Sequence, residues 1–281
     1  MCTSQKPLPI TFVTKEESGK REQWFNNFKY PILNIITLLQ EGVQENYKLD
    51  FEDIQSAIVF FKQLTTNLKE EDGVRMYFAS PSADGTVKKD KCGLLTIIFC
   101  ATIGAEKSDI KNYYTLSRKT VIPIQEDRAR EWVHNYQNVK RKILFETLSD
   151  SDRLNNCKET KHVWFSLQQM RQTINEMECQ SLNQKNIVTG FGIRFVSYTN
   201  QDYYFPKPKP SEFEKRQRLT IAFTFTNALT LDIGIEDIDK EVFEQRLETT
   251  INGFFGDTFD TGFPAPPPSG DGSMAALDIE N

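Results

Sequence analysis

Between residues 51 and 68, apolar side chains fall at Ile54, Ala57, Ile58, Phe61 and Leu64. That spacing of three and four lays one apolar stripe along a helix. After Gly73 the period drops to two. Val74, Met76 and Phe78 alternate with Arg75 and Tyr77, and Leu95, Ile97 and Phe99 alternate with Thr96, Ile98 and Cys100. Both runs predict strands with one apolar face. The succession then returns. Leu167, Met170, Ile174 and Met177 repeat the helical spacing, Ile193 and Phe195 flank Arg194, and Leu219, Ile221, Phe223 and Phe225 alternate with Thr220, Ala222, Thr224 and Thr226. Residues 16–44 predict a further helix, bent at Pro31 because proline lacks an N–H and crowds the preceding turn. Residues 235–252 predict another, with Ile238, Val242, Phe243 and Leu247 on one side.

The return is a repeat with a rising offset. Trp24-Phe25-Asn26-Asn27-Phe28 matches Trp132-Val133-His134-Asn135-Tyr136 at 108 residues, and Phe51 matches Phe165 at 114. Gly73-Val74-Arg75 matches Gly192-Ile193-Arg194 at 119, and Leu95-Thr96-Ile97 matches Leu219-Thr220-Ile221 at 124. Order is kept throughout, as small loop insertions in a second copy require. The predicted fold class is α+β: a tandem duplication of a helix–helix–β-hairpin unit. Helices pack on one face of an antiparallel sheet, and an extra C-terminal helix and a Pro-rich tail follow. The implied organisation is an N-terminal extension (1–15), a first unit (16–118), a linker (119–127), a second unit (128–262) and an acidic, disordered Pro/Gly tail (263–281).

Thr160-Lys161-His162-Val163-Trp164-Phe165-Ser166-Leu167, then Gly192-Ile193-Arg194-Phe195 and Leu219-Thr220-Ile221, resembles a family of uncharacterised Bacteroidetes proteins with α+β units of ~130 residues. Phe259-Asp260-Thr261-Gly262-Phe263-Pro264-Ala265-Pro266-Pro267 resembles that family's ending, although the ending's cysteines are absent, with Ala265 and Ser269 nearby instead. The resemblance spans residues 132–270 well and 24–116 more faintly. It implies a fold and a bacterial origin, and no activity.

Composition narrows the function. The net charge of −5 equals the charge of residues 256–281, where Asp257, Asp260, Asp271, Asp278 and Glu280 meet no Lys or Arg, so the body is formally neutral. General nucleic-acid binding needs a basic face and is not expected. Five cysteines in no C-x-x-C pattern and the absence of a leader pattern in residues 1–20 give the expectation of reduced thiols and a cytoplasmic location. No apolar run approaches the ~20 residues of a membrane span.

Candidate chemistry is sparse. Neither His134 nor His162 has a Cys or another His within four residues, so no metal site is expected. There is no nucleophile elbow and no phosphate loop, so the reading leans away from an enzyme and expects no cofactor. Cys100 reads as a small residue tucked under a helix, and Asn27 and Asn135 as ties between elements. Alternation turns Arg75, with Tyr77 beside it, and Arg194, with Tyr198 beside it, away from the helix-covered face. Arginine flanked by aromatics is the composition of interface hot spots. With Tyr203, Tyr204 and Phe205 on the Lys/Pro arm 203–210, these residues form the candidate partner-binding set. The expected function is a non-enzymatic partner-binding or scaffold protein of bacterial origin whose partner is a protein, with any small-molecule ligand unknown. The alternatives are a bacterial conflict factor, toxin-neutralising or phage-defence-associated, and, behind it, an enzyme with an unrecognised site.

Overall fold

A computed structural model describes residues 15–82, 91–146, 159–182, 188–199, 217–226 and 263–264. The protein is mixed α+β with two antiparallel sheets. Its first half runs α1 (Lys15–Trp24), a π-helical turn (Phe25–Lys29), α2 (Tyr30–Glu41), β1 (Lys48–Phe51), α3 (Ile54–Thr65), β2 (Gly73–Ala79) and β3 (Thr96–Ile103). Two further strands follow, β4 (Ser108–Ser117) and β5 (Thr120–Ile124). The second half runs α4 (Glu126–Asn135), a π-helical turn (Tyr136–Arg141), α5 (Lys142–Glu146), β6 (His162–Ser166), α6 (Leu167–Ser181), β7 (Gly190–Ser197) and β8 (Leu219–Thr226). Last comes β9 (Phe263–Pro264).

Local chemistry sets these elements. The Asp53 carboxylate caps α3 by accepting from the N–H groups of Gln55 and Ser56, and those bonds with the Ser56 hydroxyl hold its pKa below the ordinary value. Ser166 and Gln169 close a capping box at the start of α6. Gly42, at φ 71°, ends α2 in the left-handed conformation that favours glycine. The helix expected over 16–44 runs to Glu41, and its irregularity is the π turn ahead of Pro31, which sits in the first turn of α2 where its missing N–H costs nothing. The second π turn has no proline, so proline is not the common cause.

The two sheets have orders β1-β7-β8 and β5-β4-β3-β2-β6-β9. The hairpins β2–β3 and β7–β8 form as the alternation predicts. The short strand ahead of each half's α3 or α6, however, crosses over: β1 pairs with β7, and β6 pairs with β2. The linker assigned to 119–127 is largely β5 and the start of α4, and strand exchange means that no boundary there separates two sheets. Gly73 faces Thr102 while Gly192 faces Thr224, a two-residue slip from the sequence offsets. An even slip keeps every apolar side chain on the same face.

One main core lies between the sheets. Val74, Met76 and Phe78 meet Ile193 and Phe195 there, α3 and α6 add Phe61, Met170 and Ile174, and Phe165 of β6 stacks on Phe223 of β8 at 5.1 Å. Helices nevertheless cover both faces of the larger sheet. Ala129, Trp132 and Val133 of α4 close its outer face over Tyr77, Ile98 and Cys100. The expectation of helices on one face fails because the outward residues of β2 and β3 are themselves bulky and apolar enough to need a cover. The predicted helix 235–252, the arm 203–210 and the tail lie outside the described residues, apart from Phe263 and Pro264.

Candidate functional site

Arg75 and Tyr77 do turn away from the main core, but they meet no solvent. Arg75 is 0% exposed. Its Nη1 donates to Asp109 Oδ1 at 2.6 Å and its Nη2 to the Lys107 carbonyl at 2.9 Å. The hydroxyls of Tyr77 and Tyr113 donate to the other Asp109 oxygen. Burial and then the Asp109 charge push the Cys100 thiol up to about 12, and the same two causes raise the Tyr113 hydroxyl. Cys100 therefore stays protonated at neutral pH, a poor nucleophile tucked under α4. This closed network holds β4 onto β2 and β3. It removes Arg75 and Tyr77 from the partner-facing set, because Asp109, on a strand the alternation did not reveal, faces the arginine.

Arg194 is placed differently. Its Nη1 donates to Glu22 of α1, and the pair is about one-third exposed. Tyr198 is buried, with the Arg21 guanidinium 4.6 Å from its ring centre. Arg194 and Tyr198 thus share the outer face of the three-stranded sheet beneath α1. Tyr203, Tyr204 and Phe205 lie outside the described residues. Asn135 does tie two elements, donating to the Ser80 carbonyl at 3.2 Å, whereas Asn27 is exposed. His162 is buried edge-on to Tyr77, and no group of three or more His, Cys, Asp or Glu side chains gathers among the described residues.

Two buried lysines were not singled out in sequence. Lys29, in the first π turn, pairs with Glu159, and Lys140, in the second, pairs with Glu45. Each lysine reaches a glutamate of the opposite half. Glu159 Oε1 also accepts from the N–H groups of Thr160 (2.9 Å) and Leu219 (2.7 Å). Glu45 Oε1 accepts from those of Asn46 (2.8 Å) and Leu95 (2.6 Å). Burial pushes the Glu159 carboxyl up, but Lys29 and the two N–H donors outweigh it and hold the pKa below the ordinary value. Burial lowers the Lys140 ammonium against the pull of Glu45. The signal was available. Lys29 and Lys140 are offset by 111, and Glu45 and Glu159 by 114, inside the series already found. The π turns supply the geometry, since the extra residue per turn rotates each lysine inward.

Two open surfaces stand out among the described residues. A groove of about 660 Å³ between α3 and β5 is lined by Gln55, Ser56, Gln63, Tyr114 and Lys119 among others, with no acid–base pair. The other is apolar. Trp24, Phe28, Ile32, Ile35 and Leu39 follow one another at helical spacing along α1, the π turn and α2. Phe28 is 51% exposed, Ile35 57% and Leu39 82%, and Leu38 is also exposed beside them. The rings of Trp24 and Phe28 touch at 4.4 Å. The inner side of α2, through Leu33 and Thr37, is buried, so the helix is apolar on both sides. No charged residue lies between Lys29 and Glu41.

No helix among the described residues is long and apolar enough to cross a membrane. No protein family, curated protein or solved structure matches this chain.

Proposed function

We propose that this chain is a non-enzymatic partner-binding or scaffold protein of bacterial origin, in the Bacteroidetes family it resembles, and that it docks a protein partner through α2. The observation that carries the reading is the exposed stripe from Phe28 to Leu39. A solvent-facing helix ordinarily spends that face on charged residues, and a contiguous apolar patch of this kind marks an interaction site. Its uncharged length fits a partner that offers an apolar helix face, recognised by burial. Arg194 lies apart from this stripe, on the sheet beneath α1, where it pairs with Glu22. Of the partner-facing set proposed from sequence, Arg194 stays partly open, Tyr198 is covered by Arg21, and Tyr203, Tyr204 and Phe205 of the arm complete the set.

The proposal includes duplication. The recurring element order, the exchanged strands and the two reciprocal lysine–glutamate pairs support two diverged copies of one unit, each completing the other's sheet.

The test is a purified partner titrated calorimetrically against the wild-type chain and an Ile35→Ser/Leu39→Ser double variant. The variant should bind more weakly by about 2–4 kcal/mol, the worth of two apolar side chains, with an unchanged thermal midpoint. Equal affinity for the two chains would remove α2 from the interface.

A further inference from the structure

Arg218 stands one residue before β8. Since Leu219, Ile221 and Phe223 face the main core, alternation puts Arg218 and Thr220 on the outer face of the three-stranded sheet. Arg218 is 1% exposed, and its buried Nε and Nη2 have no hydrogen-bond partner. No ion pair to its guanidinium is present among the described residues, and the buried Thr220 Oγ1 is likewise without a partner. The surroundings are already cationic. The Tyr198 N–H donates to the Arg218 carbonyl at 3.0 Å, Tyr198 carries the Arg21 guanidinium over its ring, and Glu22 is taken by Arg194.

An arginine cannot relieve burial as a lysine can, by shedding its proton. A buried guanidinium therefore requires an anion. Nε and Nη2 share one edge of the guanidinium, the edge that grips two oxygens of one oxyanion side-on. We propose that Arg218 and Thr220 form a binding site for an oxyanion of the phosphate or carboxylate class. Two parallel N–H donors come from the arginine and a third donor is the threonine hydroxyl. The site is independent of the α2 surface.

The experiment is calorimetric melting of the full chain in inorganic phosphate, in acetate and in chloride at matched ionic strength, with isothermal titration of phosphate. Phosphate or acetate should raise the wild-type midpoint by several degrees over chloride, because an anion held only by the folded state stabilises it; the arm giving the larger rise identifies the source. Arg218→Met should abolish the rise. Thr220→Val, which keeps the shape of the side chain, should fold normally and weaken the anion about five-fold, the worth of one hydrogen bond. A wild-type midpoint unmoved by both anions, as when a carboxylate of the chain itself neutralises Arg218, overturns the proposal. So does a rise of equal size in Arg218→Met or in Thr220→Val.

Discussion

The strand arginines of the two halves stand at matching places in sequence and meet opposite fates. Arg75 is sealed against Asp109, Tyr77 and the Lys107 carbonyl, while Arg194 lies at a partly open surface with Glu22. The strands themselves are alike. What differs is the neighbour. The first hairpin continues into β4, which delivers Asp109. Each hairpin also receives a short strand from the other half, which sets Trp164 opposite Arg75 and Lys48 opposite Arg194, so neither of these strands supplies a carboxylate. The buried lysine–glutamate pairs behave in the contrary way: in both a lysine and two backbone N–H groups meet the carboxylate, and only Glu45 adds a hydroxyl, from Thr37. A buried carboxylate held by a lysine and two backbone N–H groups leaves little room to drift, whereas an arginine on an outer face takes its role from whatever strand or helix arrives beside it.

The conserved part of this comparison is the most costly to disturb. Glu45→Gln and Glu159→Gln should each lose about 3–5 kcal/mol, since each leaves a lysine buried without its counter-charge. Urea unfolding should give two losses within ~1 kcal/mol of each other, and a large inequality would break the equivalence. Glu159 also sets a pH dependence. Its folded pKa is depressed, so its contribution is complete above the unfolded carboxylate value of ~4.3 and is lost as pH falls through the lower folded value. In Glu159→Gln the acid limb of stability against pH should be shallower.

The divergent part is tested by the arginine partners. Asp109→Asn should cost about 3 kcal/mol or more by stranding Arg75, while Glu22→Gln at the partly exposed pair should cost less than ~1 kcal/mol. Comparable losses would mean that Arg194 is as structural as Arg75. The matched glycines should separate less widely. A methyl at Gly73 would lie 2.3 Å from the Phe165 carbonyl oxygen and 2.5 Å from the Trp164 ring, whereas at Gly192 it would first meet the Thr224 hydroxyl at 2.6 Å. Gly73→Ala should cost about 2–3 kcal/mol and Gly192→Ala about 1 kcal/mol, because a backbone oxygen yields less than a side chain. The reverse order would place the tighter approach in the second half.

The periods of two and three to four were enough to find α3, α6, β2, β3, β7 and β8, because those elements each bury one continuous apolar face. β1, β4, β5 and β6 were missed. β1 and β6 are only four and five residues long, too short to establish a period. β4 carries polar residues at inward positions, Asp109 among them. The partner-facing set was half legible for the same reason. Alternation says which way Arg75 points, and says nothing of what waits there. The exposed stripe on α2 hid because a helix apolar on both sides reads like one that is simply buried.

Local pattern along the chain was sufficient for the α+β class, the two hairpins, the recurrence and the side of the strand on which each arginine lies, since all of these follow from spacing and backbone geometry. Strand exchange between the halves, the sealing of Arg75, the pairing of Lys29 with Glu159 and of Lys140 with Glu45, and the exposure of Leu39 were decided only when the elements packed. Each depends on groups that stand 30 to 130 residues apart or more, or on the lack of a neighbour. No spacing rule reaches that far, because what selects such contacts is the free energy of removing a particular surface or charge from water, and that is defined only once the opposing surface is in place.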